Sequence, residues 1–341
     1  MNRRSVSMID VAVLAGVSVG TVSNVVNSPQ RVSEATRDRV QVAIDKLGWV
    51  PSETARQLRA GRSHAVGLIV FDISNPFFTD VALGVEDALY RQGLSVYISN
   101  SDQRIEREEM LIRHFEQNRV RGVIMAPITN VNEHALQLRR RGIPVVMVDR
   151  SRDEDFCSVG VDDVEGGRLA AEHLLAMGHR RLAFVGGPMT LAQVHDRMTG
   201  ARLAMDNHPD ASLLTLTTPT LAVTPGTACA TQIALMPDGT RPTAVFAAND
   251  LLAIGLLQGF VAAGLRVPDD IALIGYDDIE FAAAAAVPLS SVSQPRRALG
   301  ERAAAMLVDE IAVAEEGGPH RHEIVRLAPV LVPRASTMVK S

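Results

Sequence analysis

The stretch DVAVLAGVSVGTVSNVVNSPQRVSEATRDRV, Asp10–Val40, decides how the first part of this 341-residue chain folds. Ser7 and Asp10 stand just at its edge, three apart. That is the spacing of a capping box, in which each side chain satisfies a free backbone N–H of a first helical turn. Val11, Ala12, Leu14 and Ala15 follow, and Gly16 can close the helix. Ser18 is placed to cap a second helix with Val22, Val25 and Val26 on its inner side. Only Gly16 and Val17 lie between the two helices, enough for a sharp turn and nothing longer. Ser33 is placed to cap a third helix, SEATRDRVQVAIDKLG. Val40, Ile44 and Leu47 fall at i, i+4 and i+7, with Gly48 at its end.

Helix, tight glycine turn, helix and supporting helix is the layout of a helix-turn-helix DNA-binding unit. The spacing predicts an exposed face of Ser18, Val19, Gly20, Thr21, Ser23, Asn24 and Asn27 on the second helix. Hydroxyls and amides bond phosphate oxygens, and asparagine can read adenine in the major groove. A small protein-interaction module with a polar face would share this layout. Charge and the tight turn favour DNA. Residues 1–63 hold nine Lys/Arg against five Asp/Glu, a balance of +4 within a chain of net charge −5, so the remainder stands at −9. A basic head on an acidic body suits a head that meets a polyanion and a body that does not.

Composition bounds the rest. The two cysteines, Cys157 and Cys229, form no CxxC and make a poor disulfide framework, which fits a reducing cytoplasm. MNRRSVSMID lacks the apolar core of a signal peptide. No apolar run approaches the roughly 20 residues that span a bilayer, so no membrane partner is expected.

A connector follows the head. Pro51 can open a helix over SETARQLRAG, which ends at Gly61 and carries Ala55 and Leu58 three apart on one face. Alone it is too short and polar to be stable, and its residues read as a solvated linker. From Val66 the rhythm changes. AVGLIVF, LSVYIS, RGVIMAP, PVVMVD, RLAFVGG, TAVFAAND and IALIGYD are strand candidates, with helical patterns such as TDVALGVEDALYRQG and EREEMLIRHFEQN between them. This alternation predicts parallel sheets with helices on both faces, repeated on each side of about Asp162. FAAAAAVPLSSVSQP is expected to hold a short helix before a crossover. QPRRALGERAAAMLVDEI is expected to form an amphipathic helix returning to the first half.

Three classes compete for the body. A Rossmann enzyme lacks its GxGxxG, and GxSxG, HExxH and P-loop signatures are also missing. No enzyme activity, metal site or cofactor is therefore expected. A ligand-binding clamshell remains, either as a cytoplasmic carrier without DNA activity or as the sensor of a regulator. The attached head favours the sensor. In open α/β sheets ligands bind outside the carboxyl ends of strands. Asp149, Asn249, Asp250, Asp277 and Asp278 stand at such ends, Arg197 follows RLAFVGG, and Asn75, Phe77 and Phe78 follow the first body strand. Each has a plainer role available. Asp163, Asp250 and Asp278 can be helix N-caps, Arg197 a surface ion-pair partner, and at least one phenylalanine a core residue. Converging on one crevice, the set would offer paired donors and acceptors for vicinal hydroxyls and an aromatic face for a sugar.

DVAVLAGVSVGTVSNVVN, continued by VSEATRDRVQVAIDKLGWVPSETARQLRAGRSHAVGLIV, resembles the LacI/GalR family of bacterial repressors, and the likeness runs along almost the whole chain. The resemblance implies an all-α helix-turn-helix head over residues 1–50 and a hinge helix over 51–62. It implies an effector-binding and dimerisation domain over 63–341, built as two doubly wound parallel-sheet halves like a periplasmic binding protein. Its N-subdomain would hold about 63–162 plus 293–322, and its C-subdomain about 163–292 plus 323–341. By the same resemblance Val19, Gly20 and Asn24 take base-reading positions. Ser7, Ser18, Thr21, Ser23, Asn27, Arg31, Ser33 and Thr36 match phosphate-holding ones. Leu58 matches a leucine that wedges into the minor groove, with Ala55 its small neighbour. Trp49 would pack between head and hinge.

In the body, Asp149, Arg197, Asn249 and Asp277 match effector-bonding positions, and SNPFF matches a variant of the first pocket loop. Leu191, Gln193 and Leu221 match pocket positions that are polar or aromatic in purine sensors. The ring expected at Leu221 for stacking on a base is missing, which points to a sugar or sugar derivative over a non-sugar metabolite. The implied protein is a cytoplasmic, nucleoid-associated homodimer that binds palindromic double-stranded operator DNA and regulates carbohydrate uptake or catabolism. The ending LAPVLVPRASTMVKS has no heptads, so no tetramerising coiled coil is expected.

Overall fold

The computed structural model describes residues 6–50, 63–128, 133–150 and 155–338. It divides into two compact units, Met1–Ser63 and His64–Ser341. The hinge prediction, with Ala55 and Leu58, lies outside the described residues.

In the first unit α1 spans Met8–Ala15, α2 Val19–Asn27 and α3 Glu34–Leu47. The capping box forms: the Ser7 backbone N–H donates to Asp10 Oδ2 at 2.8 Å, and the Asp10 N–H donates to Ser7 Oγ at 3.4 Å. Gly16 ends α1 with φ of 64°, a left-handed turn that glycine adopts without a Cβ clash. Ser18 Oγ then accepts from the Thr21 N–H at 3.1 Å and starts α2. The two helices meet at 103°, inside the roughly 90–120° of helix-turn-helix units. Val11, Ala12, Ala15, Val22, Val40, Ala43 and Trp49 close a small core. Trp49 thus packs within the head. Ser33 stands at the N-cap of α3 but makes no capping bond. Its hydroxyl donates sideways to Thr36 Oγ1 at 3.0 Å.

The second unit contains two six-stranded sheets. Its strands are β1 Ala65–Val70, β2 Ser95–Asn100, β3 Gly122–Met125, β4 Val145–Val148, β5 Cys157–Val161, β6 Arg181–Gly186, β7 Ser212–Thr217, β8 Ala244–Ala247, β9 Ala272–Asp277, β10 Ser290–Ser293, β11 Ile324–Leu327 and β12 Val330–Val332. The spatial orders are β11-β5-β4-β3-β1-β2 and β12-β10-β9-β8-β6-β7. All pairings are parallel except β10 with β12. β1, β3, β4, β5, β8 and β9 are buried along their whole length, as parallel strands covered on both faces must be. The covering helices are α4 Pro76–Tyr90, α5 Ile105–Gln117, α6 Glu133–Arg140, α7 Asp163–Ala176, α8 Ala192–Met205, α9 Val223–Ala234, α10 Asp250–Ala262, α11 Glu280–Ala284 and α12 Arg296–Glu316. α12 returns to the first sheet as expected, burying Leu299, Ala303, Met306 and Leu307 in its core.

One boundary differs from the sequence reading. β11 pairs with β5 in the first sheet, so residues 324–327 belong with the N-subdomain and the last crossing follows Leu327. The strand Ile324–Leu327 could not reach the second sheet without giving up this register.

Glycines set the helix spacing. A Cβ on Gly200 would lie 1.9 Å from the Val164 carbonyl oxygen, and one on Gly167 would lie 2.0 Å from that of Arg197. α7 and α8 therefore touch backbone to backbone, which brings the start of α7 against Arg197.

Candidate functional site

On the head, Ser18, Val19, Gly20, Asn24 and Asn27 are exposed on α2, as is Arg31 in the short turn Pro29–Arg31 that follows. Thr21 is half-buried, with its hydroxyl 2.9 Å from Ser18 Oγ. Ser23 departs from the expected exposed face. It is 8% exposed, and the Asn27 amide folds back on it, donating to its carbonyl at 2.9 Å and approaching Oγ at 3.3 Å. A residue five positions after the cap has turned away from the Val19–Gly20–Asn24 face and toward the core. Ser7 is likewise engaged locally, donating through Oγ to Asp10 Oδ2 at 2.7 Å. Ser33 and Thr36 sit together at the start of α3. The surface that α2 offers is therefore a narrow ridge of Val19, Gly20 and Asn24, flanked by Ser18 and Asn27.

In the body, one crevice is lined by Phe71, Asn75, Phe77, Phe78, Asp149, Gln193, Arg197, Leu221, Asn249 and Asp277. Nine of the ten residues expected at an effector site meet there. The exception is Leu191, which precedes α8 and is buried in the core of the second half. Phe71 is an additional lining residue that the strand-end reasoning does not single out. It immediately follows β1 and reads in sequence as one more strand residue.

Local structure explains each position. Asn75 is the N-cap of α4, its Oδ1 accepting from the Phe77 N–H at 3.0 Å. That leaves Nδ2 to donate to Asp277 Oδ2 at 3.1 Å. Asn249 caps α10 through Leu252 N–H at 2.9 Å and donates from Nδ2 to the Leu221 carbonyl at 3.1 Å. Gln193 and Arg197 lie one turn apart on α8 and so share a face. Phe71 and Phe78 pack edge to face with centroids 4.5 Å apart, and Phe77 with Phe78 at 4.9 Å. Both Phe77 and Phe78 belong to the core of the first half as well as to the crevice wall.

Asp149 and Asp277 leave their strands with φ of 61° and 102°. Such conformations cost a non-glycine residue about 1–3 kcal/mol and persist where the surroundings impose them. Here they turn two carboxyl groups into the crevice.

Arg197 is the hub. Its Nε donates to Asp163 Oδ1 at 2.8 Å and its Nη1 to the Ala248 carbonyl at 2.7 Å, while Asp277 Oδ1 lies 3.7 Å from Nη1. The guanidinium carbon stands 3.7 Å over the Tyr276 ring. Burial works against this cation, yet Asp163, Tyr276, Asp277 and Asp149 together hold its pKa above the ordinary value. The carboxyl groups respond in the opposite sense. Desolvation raises Asp163 and Asp277 against the pull of Arg197, and raises Asp149 further with the added repulsion of Asp163. Among the described residues, Asp149 Oδ2 has only a long 3.4 Å contact from Gln193 Nε2, and its buried Oδ1 has no partner. A buried acceptor left open costs about 1–3 kcal/mol and marks where a donor from a ligand would bind.

Three aspartates expected as caps do other things. Asp162, not Asp163, caps α7, its Oδ1 accepting from Glu165 N–H at 3.0 Å. Asp163 is freed for Arg197. Asp250 follows its cap Asn249 and holds the turn after β9, accepting from Ile279 N–H at 2.9 Å and Ser291 Oγ at 2.7 Å. Asp278 pairs with Arg334 at 2.7 Å. Two further residues tie the crevice to the crossing segment between β10 and α12. Gln294 Nε2 donates to Asp277 Oδ1 at 2.7 Å. Arg296 donates to the carbonyls of Asp277 and Asp278 and, through Nε, to Asp80 Oδ2 on α4 at 2.7 Å.

Comparison with known proteins agrees with this architecture. Residues 7–52 match the model described as bacterial regulatory proteins, lacI family, and residues 171–337 match that of the periplasmic binding protein-like domain. The chain is 33% identical over 338 residues to the HTH-type transcriptional repressor PurR of Aliivibrio fischeri (strain MJ11), covering 96% of this chain and 97% of that one. The chain belongs to the lacI family of bacterial regulatory proteins. Within the family it is also 34% identical over 337 residues to the ribose operon repressor of Escherichia coli (strain K12), covering 97% of this chain and 99% of that one. Among solved structures, a transcriptional regulator CelR–cellobiose complex shares 31% identity and a TM-score of 0.72, covering 97% and 99% of the two chains. Among the described residues of this lacI-family chain, no single helix is long and apolar enough to cross a membrane.

Proposed function

We propose that this protein is a cytoplasmic repressor, not an enzyme, that binds a palindromic operator as a homodimer and senses a sugar or sugar derivative in the body crevice. The observation that carries the reading is the convergence of Asn75, Asp149, Gln193, Arg197, Asn249 and Asp277 on one crevice in a chain whose head is a helix-turn-helix. Hydroxyl pairs both donate and accept. Asp149 Oδ1 and Asp277 would accept from them, and Asn75, Gln193 and Arg197 would donate. The Phe71–Phe78 wall suits the apolar face of a sugar ring. A purine, which the family's purine sensors take, is the rival effector. The aliphatic Leu221, in place of a stacking ring, weighs toward the sugar.

The effector acts through coupled equilibria. Closure of the two halves around it would be felt by Gln294 and Arg296, because both grip Asp277 from the chain crossing between halves. A shift of one N-subdomain against that of a dimer partner would alter the spacing of the two heads on DNA. The effector can shift this equilibrium only by its differential affinity for the two states.

Footprinting on DNA flanking the gene tests the reading. A protected palindrome whose affinity falls steeply with salt is the expected result. Failure to protect any palindrome, with affinity indifferent to salt, would leave only a ligand-binding protein.

A further inference from the structure

Away from the crevice, four side chains from two distant parts of the chain meet near one edge of the first sheet. Cys157 opens β5, Glu310 lies on α12, and His320 and His322 lie in the extended segment leading into β11. Their ligand atoms all fall within 4.8 Å of one another. Cys157 Sγ is 3.1 Å from His320 Nε2 and 3.8 Å from His322 Nδ1. A tetrahedral zinc ion with sulfur and imidazole ligands at their usual bond lengths would hold those atoms about 3.6 Å apart, between the two observed separations. We propose that Cys157, Glu310, His320 and His322 form a binding site for a divalent transition metal ion of the zinc type, separate from the effector crevice.

The surroundings fit this role. Glu310 is 5% exposed, and its Oε2 has no hydrogen-bond partner among the described residues. Thiolate, imidazole and carboxylate are each ligand types that zinc accepts, and four such groups would complete a tetrahedral shell. Arg139 Nη1 donates to His322 Nε2 at 2.9 Å, which places the ring proton on Nδ1. Metal binding would move that proton to Nε2, and Arg139 would turn to the Asp155 carboxylate, already 3.7 Å from its Nη2. The ion would lock β11, the last strand of the first sheet, to β5 and α12. Sequence shows only the His320–His322 pair as a short spacing, since Cys157 lies 163 residues from His320.

The test uses the full-length chain stripped with a chelator, then titrated with Zn²⁺ and Co²⁺. One ion per chain is expected, with a thiolate-to-cobalt charge-transfer band in the near ultraviolet. The band should persist in Cys229→Ser, whose thiol lies in the other half, and vanish in Cys157→Ser. His320→Asn changes a half-exposed residue that the fold can spare. It should keep the circular dichroism of the parent and weaken Zn²⁺ binding by at least about an order of magnitude. Zn²⁺ should raise the thermal midpoint of the parent and not of His320→Asn. A parent without the band, or a band that survives in Cys157→Ser, overturns the proposal. Unchanged Zn²⁺ affinity in a folded His320→Asn does so as well.

Discussion

Asn75 donates from Nδ2 to Asp277 Oδ2 at 3.1 Å, a buried hydrogen bond between residues 202 positions apart. It joins the helix cap of the first half to the strand end of the second, directly across the crevice. Asn75→Ser should retain the cap, because a serine oxygen can accept from the Phe77 N–H, and lose the bond to Asp277. The expected cost in stability is about 1 kcal/mol, read by denaturant unfolding. Effector affinity should fall roughly tenfold, which corresponds to about 1.4 kcal/mol, read by calorimetry. An unchanged affinity would remove Asn75 from the site.

Gly200 holds α8 against α7, with no room for a Cβ beside Val164. Gly200→Ala should separate the helices, displace Arg197 from Asp163 and destabilise the body by about 1–3 kcal/mol or more. Gly239→Ala is the matched control, because a Cβ there meets nothing within 4 Å. Chemical denaturation of the pair should show a large loss for the first and little for the second.

His173 and His179 set a pH dependence. Burial lowers the pKa of both below the ordinary 6.5, with His173 adding to the effect at His179. The folded protein therefore binds fewer protons than the unfolded chain. Their contribution to stability is complete above about pH 6.5 and is lost as pH falls through the lowered folded values. His173 also meets Thr337 Oγ1 at 2.7 Å. His173→Gln can keep that bond while removing the titration, so its thermal midpoint should fall less than the parent's between pH 7.5 and 5. Parallel curves would contradict the assignment.

On the DNA side, neither Val19 nor Gly20 can hydrogen-bond a base through its side chain, so Asn24 is the residue we propose as polar reader on the exposed ridge of α2. Asn24→Ala should relax base preference at one position of each half-site by about 1–3 kcal/mol, measured by competition among single-base operator variants. Equal discrimination by the variant would place readout elsewhere.

The head was legible because its signals are local. Ser7 with Asp10, Gly16, Ser18 and Gly48 each act within one helical turn, and all take the places the spacing assigned. Ser23 was misplaced because the polar residue type suggested exposure, while helical geometry turned it inward. In the body, β1, β3, β4, β6, β8 and β9 announce themselves as apolar runs. β5, β7, β10 and β12 are short, rich in Ser and Thr, or on an edge, and were not read as strands. The crevice was legible because strand ends converge wherever a doubly wound sheet places them. Asp163 and Tyr276, which hold Arg197, were hidden by a one-residue shift of the cap to Asp162 and by a strand position that reads as core. The Cys157–Glu310–His320–His322 cluster depends on the chain crossing that brings Cys157 to the other three, which no local pattern encodes.

The most direct measurement is the affinity of the full-length protein for its operator, titrated with a panel of pentoses, hexoses, their phosphates and purines, in the parent and in Arg197→Lys. Lysine keeps the charge but cannot reproduce the guanidinium's bonds to both Asp163 and Ala248. The account predicts that one sugar-type compound changes the parent's operator affinity by roughly fivefold or more, while Arg197→Lys binds the operator and no longer responds. A response to purines alone, or an undiminished sugar response in Arg197→Lys, would contradict it.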